Sequence, residues 1–250
     1  MDFISGEILA IDKPLGWTSF DAVKRLRGAI QKRLRVKSFK VGHAGTLDPL
    51  ATGVLLVCTG RATRCIEELQ AGEKEYVATV QLGATTPSYD LETEVDAHYP
   101  TGHINEELVR KALQEFVGDI MQVPPVYSAV KIDGKRAYKY ARKGKEPELK
   151  SKPVKIKEIE FISLEDNKLK FRVVCGKGTY IRSLARDLGV ALNSGGHLIE
   201  LRRTRVGDYG AHRCLSIDDA VKMISETTLT FPEGYHHPDK DPGPASEIEK

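Results

Sequence analysis

Hydrophobic and polar positions change period several times along the chain. Ile8-Leu9-Ala10-Ile11 reads as a short strand running into a turn at Pro14-Leu15-Gly16. From Ser19 the apolar positions step to helical spacing, Val23, Leu26 and Ile30, with Ser19 as the expected N-cap. Val54 to Cys58 is an unbroken apolar run, short enough for a buried strand. Lys74 to Leu82 alternates, with Tyr76, Ala78, Val80 and Leu82 on one face. Residues 83–102 read as loop. Asn105 is the expected cap of a helix carrying Val109, Ala112, Leu113 and Phe116, with Gly118 as its stop. Val154–Leu164 and Leu169–Cys175 form the two arms of a predicted hairpin across Asp166-Asn167. Gly176-Lys177-Gly178 then opens a helix with Ile181, Leu184, Ala185 and Leu188 on its apolar face. Strands interleaved with helices, without internal repeats, predict an α+β (mixed α/β) class.

Composition narrows this. A chain of 250 residues with 40% hydrophobic content suits one large domain over 1–231. From Phe231 the chain turns Pro- and Gly-rich, and residues 232–250 hold five acids against two lysines, so a disordered acidic tail is expected there. No run of 18 apolar residues predicts a membrane span, and residues 1–12 lack the basic-then-apolar pattern of a secretory signal. The four cysteines, 58, 65, 175 and 214, are scattered without a Cys-x-x-Cys pair, which predicts reduced thiols in a cytoplasmic protein and no zinc site.

The net charge of +3 hides an uneven distribution. Residues 22–47 hold eight Lys or Arg and no acid, and residues 130–157 hold eleven against three acids. Tyr138 and Tyr140 lie among the second set, and Tyr127 just before it. Cations that hold phosphates, interleaved with rings that stack on unpaired bases, point to RNA as the partner.

The chemistry centres on Gly42-His43-Ala44-Gly45-Thr46-Leu47-Asp48-Pro49-Leu50-Ala51-Thr52-Gly53. Asp48 stands alone among small residues, before a proline that biases it toward an extended or turn conformation. On its own such an Asp is a turn former. A phosphate loop would need the missing Gly-Lys-Ser/Thr ending, and an aspartyl phosphotransferase would need a second acid two residues on. The length of the segment, with Gly60, Ala62 and Thr63 beyond it, resembles the catalytic motif of the TruB family of tRNA pseudouridine synthases. Further segments resemble that family in its own order. They are Ile11-Asp12-Lys13-Pro14, Lys74-Glu75-Tyr76, Val123 to Lys131, Gly178 to Leu184, and Leu201-Arg202-Arg203-Thr204.

The resemblance implies a pseudouridine synthase catalytic fold, with a central mixed sheet, flanking helices and an RNA-gripping insertion near 124–153. It implies isomerisation of uridine 55 in the T loop of tRNA, without cofactor or metal, with the T arm as partner and no obligatory protein partner. Asp48 becomes the catalytic aspartate, Arg182 its partner and Tyr76 the ring that stacks on the flipped base. His43, Tyr180 and Leu201 line the substrate site, and Lys13, Lys131 and Arg142 are phosphate-contact candidates, with Lys135 and Arg136 beside them. Arg182 in a helix's first turn opposes the helix dipole and so calls for an anionic partner. Longer members of the family continue into an RNA-binding PUA domain, and the sequence leaves no room for one after residue 231.

Overall fold

The structure, a computed structural model, describes residues 1–128, 131–132, 135–136 and 149–235, with the backbone alone at 131–132 and 135–136. In chain order the elements are β1 (Ile8–Lys13), α1 (Ser19–Leu34), β2 (Val41–Ala44), β3 (Ala51–Thr59), α2 (Ile66–Ala71), β4 (Lys74–Leu82), β5 (Ala84–Thr85) and β6 (Ala97–His98). There follow α3 (Glu106–Glu115), β7 (Gly118–Gln122), β8 (Lys131–Ile132), β9 (Lys135–Arg136), β10 (Lys152–Glu165) and β11 (Lys168–Cys175). The last are α4 (Ile181–Ala191), β12 (Gly196–Val206), β13 (Tyr209–Gly210) and α5 (Ile217–Glu226). The α+β class expected from the sequence is the class observed.

The chain divides into two compact units. One comprises Met1–Pro49, Gly53–Gln70 and the described residues from Tyr209 on; the other comprises Leu50–Thr52 and Ala71–Asp208. In the first, β3 pairs antiparallel with β1 (Ile11 opposite Leu55) and with β2 (His43 opposite Val57). Helix α1 starts at a cap one residue earlier than the sequence suggests. Thr18, not Ser19, is the N-cap, and Thr18 and Asp21 form a reciprocal capping box. The helix ends where Arg35 takes a left-handed conformation at φ +56°. Its apolar stripe, Val23, Leu26 and Ile30, packs with Ile11, Leu55 and the α5 residues Ile217 and Ile224 into one core. Each fully buried Leu or Ile there contributes roughly 1.5–3 kcal/mol, and Leu26→Ala would cost about 2–5 kcal/mol.

In the second unit β4 is the central strand, between β11 (Tyr76 opposite Val173) and β12 (Tyr76 opposite Arg203), both antiparallel. The expected alternation holds, since Tyr76, Ala78, Val80 and Leu82 are all buried. The predicted hairpin is β10–β11, and its turn residues Asp166 (φ +50°) and Asn167 (φ +60°) supply the two left-handed positions of a tight hairpin turn. Strand β7 continues the sheet on β10, with Ile120 opposite Val154. Helix α4 lies on β12 through a glycine contact: a Cβ on Gly189 would meet the Gly196 backbone nitrogen at 2.3 Å. Asn105 caps α3 as expected, accepting from Leu108 N at 2.9 Å. Among the described residues no helix is long and apolar enough to cross a membrane.

Candidate active site

Asp48 lies on the loop between β2 and β3, and its two neighbours are fixed by hydrogen bonds. The Ser19 hydroxyl accepts from Leu47 N at 2.8 Å and donates to Leu47 O at 3.1 Å. Freed from capping α1, this buried Ser19 clamps the loop instead. On the other side Pro49 O accepts from Gly16 N at 2.8 Å and from the Lys13 ammonium at 3.5 Å. A half-buried carboxylate between two pinned residues has little freedom to wander.

Lys13, a phosphate-contact candidate by resemblance, adjoins the same loop. It is fully buried, and its ammonium also donates to Pro14 O at 2.9 Å and Trp17 O at 2.7 Å. A desolvated ammonium bound to carbonyls organises the turn and the reactive loop. His43 is half-buried on β2, two residues before the tight Gly45 at φ +95°.

The second unit carries the other expected residues. Tyr76 is 9% exposed on β4. On the neighbouring β12, Leu201 is half-buried opposite Ala78, and Arg203 is 1% exposed beside Tyr76. Arg202 reaches Thr52, within the reactive motif, at 3.5 Å. Lys74, also buried, has its ammonium pKa pushed down, first by desolvation and then by the Arg203 charge. Its ammonium donates to Gly72 O at 2.6 Å.

Tyr180 immediately precedes α4, and Gln122 fixes its backbone from both sides. Gln122 Oε1 accepts from Tyr180 N at 2.8 Å, and Gln122 Nε2 donates to Tyr180 O at 3.2 Å. Arg182 sits in the first turn of α4, 4% exposed. Its Nε lies 3.5 Å from Asp90 Oδ2, Nη1 donates to Ser88 O at 3.3 Å, and Nη2 donates to Tyr127 O at 2.9 Å. The guanidinium thus ties α4 to the 86–93 turn and to the segment entering the insertion.

That turn is itself well ordered by hydrogen bonds. Thr86 and Ser88 hydroxyls donate to Asp90 O at 2.7 and 3.2 Å, and Glu92 N donates to Asp90 Oδ1 at 2.9 Å. Asp90 is the site residue that the sequence reading missed. It lies in a turn-rich stretch without periodicity, and only Arg182's unfavourable helix-start position hinted that an acid must come from somewhere. Arg142, with Tyr138 and Tyr140, lies outside the described residues, as do the side chains of Lys131, Lys135 and Arg136 and the tail from residue 236.

Known proteins share this fold. Among solved structures, a chain of a Cbf5–Nop10–Gar1 complex superposes with a TM-score of 0.66 at 34% identity, over 89% of this chain and 55% of that one. A chain of an H/ACA RNP bound to a substrate RNA containing 2′-deoxyuridine superposes with a TM-score of 0.61 at 31% identity, over 86% and 52%. This chain therefore spans about half the length of each of these structural relatives. The fold is that of the pseudouridine synthases.

Two family profiles cover most of the sequence. The TruB family pseudouridylate synthase N-terminal domain matches residues 31–181, and the tRNA pseudouridylate synthase B C-terminal domain matches residues 182–230. The chain belongs to the TruB family. Relatives named tRNA pseudouridine synthase B include one from Parabacteroides distasonis, 57% identical over 93% of this chain and 99% of its own. Another, from Phocaeicola vulgatus, is 62% identical over 92% of this chain and 97% of its own.

Proposed function

We propose that the chain converts uridine 55 in the T loop of tRNA to pseudouridine, with Asp48 at the centre of the reaction. Family membership supports the reaction, and near-full-length identity to the tRNA pseudouridine synthases B supports the substrate. The observation that carries the role of Asp48 is the double anchoring of Leu47 and Pro49 around it.

The reaction breaks the N1–C1′ bond, turns the base and joins C5 to C1′; the hydrogen on C5 leaves as a proton, and N1 takes one up. Redox state is unchanged. The uridine must leave the stack first, at a cost of a few kcal/mol. Asp48 acts on the sugar, by attack at C1′ or by proton removal at C2′, and either route needs an ionised carboxylate held in place. Arg182, oriented by Asp90, Ser88 and Tyr127, is the guanidinium that the family resemblance assigns to the reaction alongside Asp48. Tyr76 stacks on the base, while Tyr180 and Leu201 close the pocket that retains it between cleavage and reattachment. His43 acts at the entry to the site. The 124–153 insertion, with Lys131 and Arg142, grips the T arm, and the enzyme works where tRNA is found, in the cytoplasm.

Release of tritium from an unmodified tRNA transcript labelled at uridine C5 tests this. Release of about one equivalent without added cofactor is the expected result. Tight binding of the transcript without tritium release would overturn the reading.

A further inference from the structure

Helix α1 carries a groove that the reaction does not use. At its first turn a cleft of about 540 Å³ is lined by Gly16, Trp17, Asp21, Lys24, Arg25 and Gly28. A second cleft of about 500 Å³ shares Arg25 and Gly28 and continues past Lys32, Arg33 and Arg35 along the side of α5, where Val221 and Ser225 complete it. Together they form one groove along the 16-residue helix, about 24 Å long at 1.5 Å per residue. It begins at Gly16, whose amide holds Pro49 O beside Asp48.

Charge and shape agree along it. Arg25, Gly28–Ala29 and Lys32 lie at i, i+3/i+4 and i+7, on one face of the helix. Cations therefore stand two turns apart with two small residues as a low floor between them. The carboxylate that lines the groove, Asp21, is engaged by the Thr18 amide at 3.0 Å and hydroxyl at 2.6 Å. Arg33 is fixed by donation to Thr227 O at 2.8 Å. The helix dipole accounts for basic residues in the last turn, Lys32 and Arg33, but not for Lys24 and Arg25 in the first half.

Gly28 is the independent observation. An exposed glycine in a helix interior costs about 0.5–1 kcal/mol relative to alanine. Packing among the described residues does not require it, because a Cβ there would meet none of them within 4 Å. A glycine that serves no internal contact, at the floor of a basic groove, suits the close approach of another molecule.

We propose that this groove takes the sugar–phosphate backbone of tRNA beyond the T arm. The inference rests on the reading of the chain as a tRNA-modifying enzyme. A linear run of eight cations without an acid, residues 22–47, matches a polyanion rather than a protein face of mixed charge. The far end of the groove lies about 24 Å along α1 from Ser19, the residue that clamps the reactive loop, so it meets RNA away from the nucleotide that reacts.

The test compares wild type, Gly28→Ala, Gly28→Glu and the double variant Lys32→Glu/Arg35→Glu. Each binds a full-length unmodified tRNA transcript and an isolated T-arm hairpin across a salt series. Gly28→Ala and Gly28→Glu both have open space and better helix propensity than glycine, so lost binding there is not lost folding. Gly28→Glu and the double variant should weaken full-length tRNA about 10-fold or more. For the double variant the slope of log Kd against log salt should fall by about 1–2. Hairpin affinity and hairpin modification should stay within about twofold. Unchanged tRNA affinity in both variants would overturn the proposal, as would an equal loss with the hairpin. Failure of the isomerase reading is separately visible as absence of pseudouridine with wild type, and the binding ratios still report on the groove.

Discussion

Ser19→Ala tests the idea that backbone anchoring positions Asp48. The substitution deletes one buried hydroxyl, 2% exposed, and with it both hydrogen bonds to Leu47. Leu47 is itself 3% exposed, so water cannot simply replace the hydroxyl. A buried N–H or C=O left without a partner costs about 1–3 kcal/mol, and relaxation of the loop recovers part of that. The expected loss of stability is about 1–3 kcal/mol in a urea melt. That relaxation moves Asp48, and a displacement on the order of 1 Å costs about 100-fold in rate. We therefore expect kcat for pseudouridine formation to fall 10- to 100-fold, with KM for tRNA changed little. Thr18→Ala is the control. It removes the capping box of α1 at about 1 kcal/mol without touching Leu47, and should leave kcat near wild type. If Ser19→Ala is destabilised but turns over within about twofold of wild type, the anchoring argument is wrong.

The remaining predictions concern the second unit and the thiols. Arg182→Lys loses the three-way contact with Asp90, Ser88 O and Tyr127 O, and should lose most activity in a single-turnover assay while still binding tRNA. Asp90→Ala removes a buried anionic partner of that guanidinium and should cost about 3–5 kcal/mol by urea denaturation. Gly189→Ala drives a methyl into the Gly195–Gly196 backbone and should lower stability by more than about 2 kcal/mol, read as a drop in Tm. Burial pushes the Cys58 and Cys175 thiols up to about 11 from 9.0, so in the native protein a thiol reagent at pH 8 should label exposed Cys65 well before either. Because the folded thiols hold their protons more tightly than the unfolded ones, their contribution to stability is complete below about pH 9. It falls as pH rises toward 11, and Cys→Ser variants should flatten that decline.

Strongly periodic segments were legible in the sequence. The strand Lys74–Leu82 and the hairpin across Asp166-Asn167 follow directly from alternation and turn chemistry. Strand β12 escaped notice because Glu200, Arg202, Arg203 and Arg205 interrupt its apolar pattern, although Arg203 is in fact buried. Helix α5 carries a fair but short signal, with Ser216 accepting from Asp219 N at its cap and Ile217, Ala220 and Ile224 on one face. At the site, the motif around Asp48 could be read from its own residues, but what holds it could not. Ser19 reads as a helix cap because Ser commonly is one; Thr18 takes that role, and only the fold reveals that Ser19 faces Leu47 across 28 residues. The burial of Lys13 is equally illegible, since nothing local shows that three carbonyls converge on its ammonium. The pairing of Arg182 with Asp90 is likewise a contact between residues 92 apart, and local pattern carries no information about it.

The central claim is that Asp48 makes this chain a tRNA pseudouridine synthase. The most direct measurement maps pseudouridine at single-nucleotide resolution in an unmodified tRNA transcript after incubation with wild type or Asp48→Asn. Pseudouridine at position 55 with wild type and none with Asp48→Asn, both proteins binding the transcript equally, is the predicted result. Modification by both proteins, or by neither, would contradict the account.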